Sequence, residues 1–114
     1  MHEMGIVSSV LDAVHRVAEK NPGRRPSKVG LRIGEWAGVD LESLRFCFDA
    51  LAPSEGFRDL YLEIDYRYRQ NRCQRCGLEF RVKDYEIQCP SCLSDNTIPA
   101  GGEELDIAWV ELQE

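Results

Sequence analysis

The sequence has no long apolar run and no excess of basic residues, and both absences restrict what the protein can do. Its 114 residues contain no stretch of about 18 consecutive apolar side chains, so we expect no membrane span and no membrane partner. The first residues lack a basic segment followed by an apolar one, so we expect no secretory signal and a cytoplasmic location. With 43% apolar and 30% charged residues, the composition is typical of a small folded protein rather than a disordered chain.

Basic residues are too few for a nucleic-acid-binding protein. Acidic residues number 20 and basic residues 14, which gives a net charge of −6. The segment between Tyr66 and Cys92 is an exception, because it holds six basic and three acidic residues. Four thiolates and one Zn²⁺ ion there would together contribute a charge of about −2 and bring the segment close to neutral. We therefore predict no nucleic-acid partner.

Cysteines are also few, but four of the five form two closely spaced pairs, Cys73-x-x-Cys76 and Cys89-x-x-Cys92. In a reducing compartment this spacing indicates metal ligands rather than disulfides. Four thiolates in a tetrahedron make a closed, structural zinc site, and a rubredoxin-like iron site with the same ligands stays open as the alternative. The fifth cysteine, Cys47, is predicted to be a small buried apolar residue.

Apolar periodicity predicts two helices and three strands around this cysteine segment. Helical spacing covers residues 5–20, and a second helix begins at Asp40 as its N-cap and ends at Pro53. Alternating patterns predict strands at residues 29–33, 60–68 and 104–112, with the cysteines inserted between the last two. The predicted fold class is α+β, a small mixed three-stranded sheet with two helices and an inserted zinc-ribbon-like domain with four cysteines.

The N-terminus carries a second set of possible metal ligands. His2 lies one residue from a free α-amine, so the amine, backbone amide nitrogens and imidazole can reach one ion through small chelate rings. Deprotonated amides favour a square plane, the geometry of Ni²⁺ or Cu²⁺. On the residues alone, an exposed histidine at a terminus remains the simpler interpretation.

Residues of the kind that enzymes need are scarce. Histidines number two, and there is neither a phosphate-binding glycine loop nor a nucleophile motif. We therefore predict that the protein is not an enzyme.

These motifs together resemble the HypA/HybF family of hydrogenase-maturation nickel chaperones, over essentially the whole chain. The order and spacing of the motifs are more specific than any one of them. They are Met1-His2-Glu3, Leu31-x-Ile33-Gly34-x-x-x-x-Val39, Leu44-x-Phe46-x-Phe48, Cys73-x-x-Cys76, Cys89-Pro90-x-Cys92 and Val110-Glu111-Leu112. Trp109 departs from the family pattern, in which a smaller or polar residue is expected there.

The resemblance implies a nickel metallochaperone with two metal sites. Ni²⁺ would be held as transient cargo by the Met1 amine, the His2 imidazole and the backbone amides of His2 and Glu3. The Glu3 side chain would be an auxiliary group, and Asp40 would be either a further auxiliary ligand or only a helix cap. Residues 1–69 plus 100–114 would form the nickel-binding domain, and residues 70–99 the inserted zinc domain.

The resemblance also implies the partners of such a chaperone. They would be the [NiFe]-hydrogenase large-subunit precursor, which receives Ni²⁺, a nickel-handling GTPase, and urease accessory proteins as a further candidate. Two alternatives differ in class: a zinc-ribbon module that binds protein or nucleic acid without nickel, and a rubredoxin-like iron electron carrier.

Overall fold

A computed structural model describes residues 2–114 of the chain, which form two helices and six strands. The predicted α+β class is confirmed, and the cysteine segment is inserted between β2 and the last strand as expected. In chain order the elements are α1 (Glu3–Lys20), β1 (Arg25–Gly34), α2 (Leu41–Ser54), β2 (Tyr61–Arg67), β3 (Gln70–Cys73), β4 (Glu79–Arg81), β5 (Thr97–Gly101) and β6 (Leu105–Gln113).

The described residues pack into two compact units. Unit 1 contains the residues up to Arg32 together with Gly38–Asp65 and Asp106–Glu114. Unit 2 contains Ile33–Ala37 and Tyr66–Leu105. The domain boundaries at residues 69/70 and 99/100 stay a prediction.

Unit 1 takes its core from apolar residues at helical and strand spacing. The two helices bury one face each, and Val29 and Leu31 of β1 are buried with them. Burying each such side chain contributes about 1.5–3 kcal/mol. The buried helix residues are Val7, Val10, Leu11 and Val14 of α1 and Leu44, Phe48 and Ala52 of α2.

The first sheet has the strand order β2-β1-β6. Arg32 of β1 pairs with Asp65 of β2 at 3.6 Å and with Asp106 of β6 at 3.3 Å. At the other end of β1, Lys28 lies 3.8 Å from both Glu63 and Glu111. The partner numbers on β2 rise along β1 while those on β6 fall. The sheet is therefore mixed, with β2 parallel and β6 antiparallel to β1, as predicted.

Trp109 of β6 packs against Gly30 of β1. A Cβ atom on Gly30 would lie only 2.2 Å from Cε2 of the Trp109 ring. The large indole that departs from the family pattern is therefore accommodated by a missing side chain on the neighbouring strand.

Unit 2 is built on an antiparallel sheet with the order β4-β3-β5. The short segment Ile33–Ala37 joins this unit through backbone hydrogen bonds. Gly34 N–H donates to Glu104 O, and Trp36 N–H donates to Gly102 O, both at 2.7 Å. These backbones approach so closely that a Cβ on Gly34 would lie 2.2 Å from the Gly102 carbonyl. Glycine is needed at this crossing.

Candidate metal centre

Two short loops of unit 2 carry the four cysteines, and each loop closes with the same backbone hydrogen bonds. In each loop the N–H of the first cysteine donates to the carbonyl of the residue five positions later. The carbonyl of the first cysteine accepts from the N–H of the residue that follows the second cysteine. The pairs are Cys73 N to Leu78 O (2.8 Å), Cys89 N to Ser94 O (2.9 Å), Gly77 N to Cys73 O (2.9 Å) and Leu93 N to Cys89 O (3.0 Å). The repeated local geometry turns both sulfurs of each loop to one side.

Each loop needs a residue in the left-handed region directly after its second cysteine. Gly77 fills this position in the first loop with φ of 80°, a conformation that glycine adopts without steric strain. In the second loop the position is held by Leu93 at φ of 65°, and its side chain is exposed. The left-handed conformation costs about 1–2 kcal/mol for leucine, whereas glycine adopts it without this cost.

The four sulfur atoms converge on one point. They lie within 4.8 Å of one another, with Cys73 and Cys92 at 3.5 Å and Cys76 and Cys89 at 3.6 Å. These distances exceed a disulfide bond of about 2.05 Å. They are close to the edge of about 3.8 Å that a tetrahedron with metal–sulfur bonds of about 2.3 Å requires. The donor set therefore fits a four-coordinate ion such as Zn²⁺.

Backbone N–H groups stabilise thiolates at this cluster. The Cys76 N–H donates to Cys73 Sγ at 3.4 Å and the Arg75 N–H at 3.3 Å. These bonds, that of Cys76 foremost, outweigh burial and lower the pKa of Cys73 to about 6. The pKa of Cys89 is lowered in the same way, chiefly by a hydrogen bond from the Cys92 backbone N–H.

Cys76, in contrast, favours the protonated thiol when no metal ion is bound. The Leu78 N–H lowers its pKa, but the neighbouring sulfurs, Cys89 first among them, and burial together raise the pKa to about 11. A divalent cation would remove this conflict, since metal-bound thiols are deprotonated.

Buried polar side chains brace the sheet that carries the cluster. Arg69 and Asn71 of the described chain are buried, and Arg69 Nε donates to Asn71 Oδ1 at 3.2 Å. Asn71 Nδ2 donates to Thr97 Oγ1 at 3.0 Å, which in turn donates to the Ile87 carbonyl at 2.6 Å. Sequence reasoning missed this network, because polar residues on a short strand give no periodic signal of burial.

Of the predicted nickel ligands, His2 and Glu3 lie at the start of α1, whereas Met1 lies outside the described residues. His2 is the extended N-cap residue, its side chain is exposed, and it makes no capping hydrogen bond. Its carbonyl accepts from Ile6 N–H at 3.2 Å. The first N–H groups of a helix have no partner within it, so the hydrogen bonds of α1 do not need the His2 and Glu3 amides.

Glu3 and Asp40 come together in unit 1 although 37 residues separate them in the chain. The Asp40 N–H donates to Glu3 Oε2 at 3.1 Å. The Asp40 side chain is the N-cap of α2 as predicted, with Oδ1 accepting from Ser43 N–H at 3.2 Å. The second carboxylate oxygen of Asp40 makes no hydrogen bond among the residues that the structure describes.

The other histidine is committed to a structural contact. His15 of α1 lies 3.5 Å from the Glu55 carboxylate, and its ring packs against Phe57 with centroids 4.5 Å apart. It therefore serves as an internal comparison for His2.

Neither of the two helices has the length and apolar content required to cross a membrane, within residues 2–114.

Residues 1–112 match a family profile described as "Hydrogenase/urease nickel incorporation, metallochaperone, hypA". Among curated relatives, the hydrogenase maturation factor HypA of Chlorobium luteolum is 40% identical over all of this chain and 97% of its own length. The protein of the same description from Pelodictyon phaeoclathratiforme is 38% identical, again over all of this chain and 97% of its own length.

Solved structures give the same likeness. The solution structure of the nickel metallochaperone HypA from Helicobacter pylori superposes with a TM-score of 0.64 at 26% identity, covering 99% of this chain and 98% of that one. A second solution structure, described as HypA protein, gives a TM-score of 0.70 at 27% identity and covers 98% of this chain and 96% of that one.

Proposed function

The chain belongs to the HypA family of nickel-incorporation metallochaperones in hydrogenase maturation, and we propose that it carries one Ni²⁺ ion on its N-terminus. It delivers this cargo to the large-subunit precursor of a [NiFe]-hydrogenase by ligand exchange, without catalysis. The observation that carries the proposal is the start of α1, where the His2 side chain and the first amides are not used by the fold.

The proposed nickel ligands are the Met1 amine, the His2 imidazole and the backbone amides of His2 and Glu3. Two amides that lose their protons bring two negative charges to the positive end of the α1 dipole, where anions are stabilised. Binding releases protons, so nickel affinity should rise with pH. Because all four donors come from three residues, a docking partner can dismantle the site by moving only the start of the chain.

Glu3 and Asp40 are proposed as auxiliary groups. The Glu3 carboxylate already holds the Asp40 backbone, so its role is to fix the start of α1 beside α2. The second carboxylate oxygen of Asp40 makes this residue a candidate additional ligand. Its capping bond to Ser43 accounts for its presence equally well.

The four cysteines are proposed to hold one structural Zn²⁺, with Cys73, Cys76, Cys89 and Cys92 as its ligands. Four sulfurs leave no open position for a substrate, so zinc would supply folding free energy to residues 70–99. The nickel-binding domain would comprise residues 1–69 and 100–114. A cytoplasmic location is supported by the five cysteines, none of which forms a disulfide among the described residues.

The partners proposed for the cycle are the large-subunit precursor and a nickel-handling GTPase, with urease accessory proteins as a further candidate. Membership of a maturation family supports contact with this machinery. The energy of a GTP-driven step would come from the partner.

Nickel titration of untagged protein that keeps its native Met1 tests the proposal. We expect one Ni²⁺ per chain with the d–d absorption of a yellow, diamagnetic square-planar complex, and loss of both in His2→Ala. His15→Ala is the matched control and should keep both signals, since that ring contacts Glu55 and Phe57.

A variant with one extra residue before Met1 moves the amine away from the other donors and should also lose the square-planar spectrum. Full nickel binding by His2→Ala would place the cargo elsewhere on the chain. Zinc content, measured on each sample, should stay at one per chain throughout.

A further inference from the structure

The Phe46 ring lies on the outer face of α2, where it contributes nothing to the core. Its residue is 74% exposed, although Leu44 and Phe48 on either side of it are buried. Aromatic side chains are among the residues that most often anchor protein–protein interfaces. The fold therefore gives no reason for phenylalanine at this position.

Carboxylates flank the ring along the same face of the helix. Glu42 lies four residues before Phe46 and Asp49 three residues after it, which places all three on one side. The Arg45 guanidinium donates to the Leu62 carbonyl at 3.1 Å and forms no ion pair with either carboxylate among the described residues. Neither Glu42 nor Asp49 forms an ion pair with another described residue. Unit 1 as a whole carries thirteen acidic and eight basic residues.

An open groove of about 410 Å³ runs beside the ring towards the start of α2. It is lined by Asp40, Glu42, Ser43, Phe46 and Cys47. Cys47 is half-buried in this groove rather than buried as predicted, since its helix position lies between the core face and the outer face. At its far end the groove reaches Asp40, whose backbone N–H is held by Glu3. The groove beside the ring thus extends to Asp40, the candidate additional nickel ligand.

We propose that this face, the Phe46 surface (Asp40, Glu42, Phe46, Cys47 and Asp49), is the docking site for the nickel acceptor, the large-subunit precursor. The precursor would offer an apolar pocket for the ring, edged by lysine or arginine side chains that match the two carboxylates. The inference rests on the proposed function, because an acceptor must come within reach of Glu3 to take the cargo. Charge complementarity with Glu42 and Asp49 favours a basic rather than an acidic partner face.

Binding of the full-length zinc-loaded protein to the purified precursor tests the proposal by calorimetry. Phe46→Ala should weaken this binding at least about tenfold, as expected for an aromatic anchor. Tyr61→Ala is the matched control, since Tyr61 is a 55% exposed aromatic residue of the same unit, on β2. It should change binding less than about twofold. Unchanged helical circular dichroism in Phe46→Ala shows that the variant folds.

Salt dependence and thiol protection provide two further measurements. Wild-type binding should weaken as salt rises, and the double variant Glu42→Gln/Asp49→Asn should show a smaller salt dependence. Bound precursor should protect Cys47 from alkylation in zinc-loaded protein.

Wild-type affinity of Phe46→Ala for the precursor would overturn the proposal. So would a loss of binding that affects only the GTPase, because the surface would then belong to another partner. Nickel titration separates this outcome from failure of the proposed function. Phe46→Ala should bind one Ni²⁺ like wild type, whereas nickel binding that survives in His2→Ala would contradict the N-terminal site itself.

Discussion

The Glu3 carboxylate accepts a hydrogen bond of 3.1 Å from the Asp40 backbone N–H, which joins the first residue of α1 to the residue that caps α2. The bond holds Glu3, one of the proposed nickel-binding residues, beside the start of α2. Glu3 thereby has a structural role that is separate from ligation, and the two roles can be tested independently.

Removing the Glu3 carboxylate should cost stability without abolishing nickel binding. We expect Glu3→Ala to lower the free energy of unfolding by about 0.5–1.5 kcal/mol, the net value of one hydrogen bond. Glu3→Gln retains an oxygen acceptor and should lose less. Urea unfolding checks both values. Each variant should still bind one Ni²⁺, because Glu3 contributes its backbone amide; loss of nickel in Glu3→Gln would show that the carboxylate is a ligand.

Substitutions of Asp40 separate a helix cap from a nickel ligand. Asparagine also caps helices, so Asp40→Asn should leave stability nearly unchanged, whereas Asp40→Ala should cost about 1 kcal/mol. If Asp40 is only a cap, both variants bind nickel with wild-type affinity. Weaker nickel binding by the stable Asp40→Asn protein would identify the carboxylate as an additional ligand.

Removal of the metal from the four-cysteine cluster should unfold the short strands around it and spare the helices. The sheet of β3, β4 and β5 buries few apolar residues, and metal binding supplies about 10 kcal/mol or more to small zinc-binding folds. After chelation, hydrogen exchange should become fast at Cys73 and Cys89, whose N–H groups are paired in the closed loops. Helical circular dichroism should persist. Colour and a one-electron couple in the untreated protein would instead indicate iron.

The two cysteine loops predict opposite effects of glycine. Leu93→Gly removes a left-handed leucine and should stabilise the loaded cluster by up to about 1 kcal/mol. Gly77→Ala places a side chain in the same conformation and should destabilise it by a similar amount. The rate of metal transfer to a chelating dye measures both, and it should fall in the first variant and rise in the second. Equal rates would mean that the left-handed residues carry no strain.

Gly30→Ala should destabilise unit 1, because the added methyl group would overlap the Trp109 ring. Overpacking of this kind costs about 1–3 kcal/mol. The double variant Gly30→Ala/Trp109→Ala should recover part of that loss. Gly5→Ala is the control, since it lies in α1 with no atom within 4 Å of an added Cβ, and it should be neutral or stabilising.

Periodicity predicted both helices and the three strands of the first sheet, because these follow from local apolar spacing. The mixed sheet and the place of the cysteine insert were predicted from the order of these elements along the chain. The resemblance in motif order predicted the family, and the match over residues 1–112 confirms it. The four cysteines could be grouped from sequence because two short pairs with turn residues leave the sulfurs few arrangements. The nickel ligands and the domain boundaries stay predictions.

Contacts between distant residues could not be read from the sequence. The hydrogen bond between Glu3 and Asp40 joins residues 37 positions apart. The backbone N–H of the buried Arg69 likewise donates to the Glu35 carboxylate at 2.8 Å, across 34 positions. Such pairs depend on how elements pack, and no local pattern encodes that. The left-handed Leu93 was hidden for a different reason, since leucine is a residue that rarely adopts this conformation.

The two tryptophans are placed so that each reports on one unit. Trp109 lies in unit 1 against Gly30, whereas Trp36 lies in unit 2 with the Arg69 guanidinium 4.1 Å from its ring centre. The fluorescence of Trp109, which packs against a backbone, should differ from that of Trp36, which lies beneath a cation, because the two indoles have different surroundings. Fluorescence of the unlabelled protein, divided by single replacements of each tryptophan with phenylalanine, can therefore follow the two units separately as metals are added or removed.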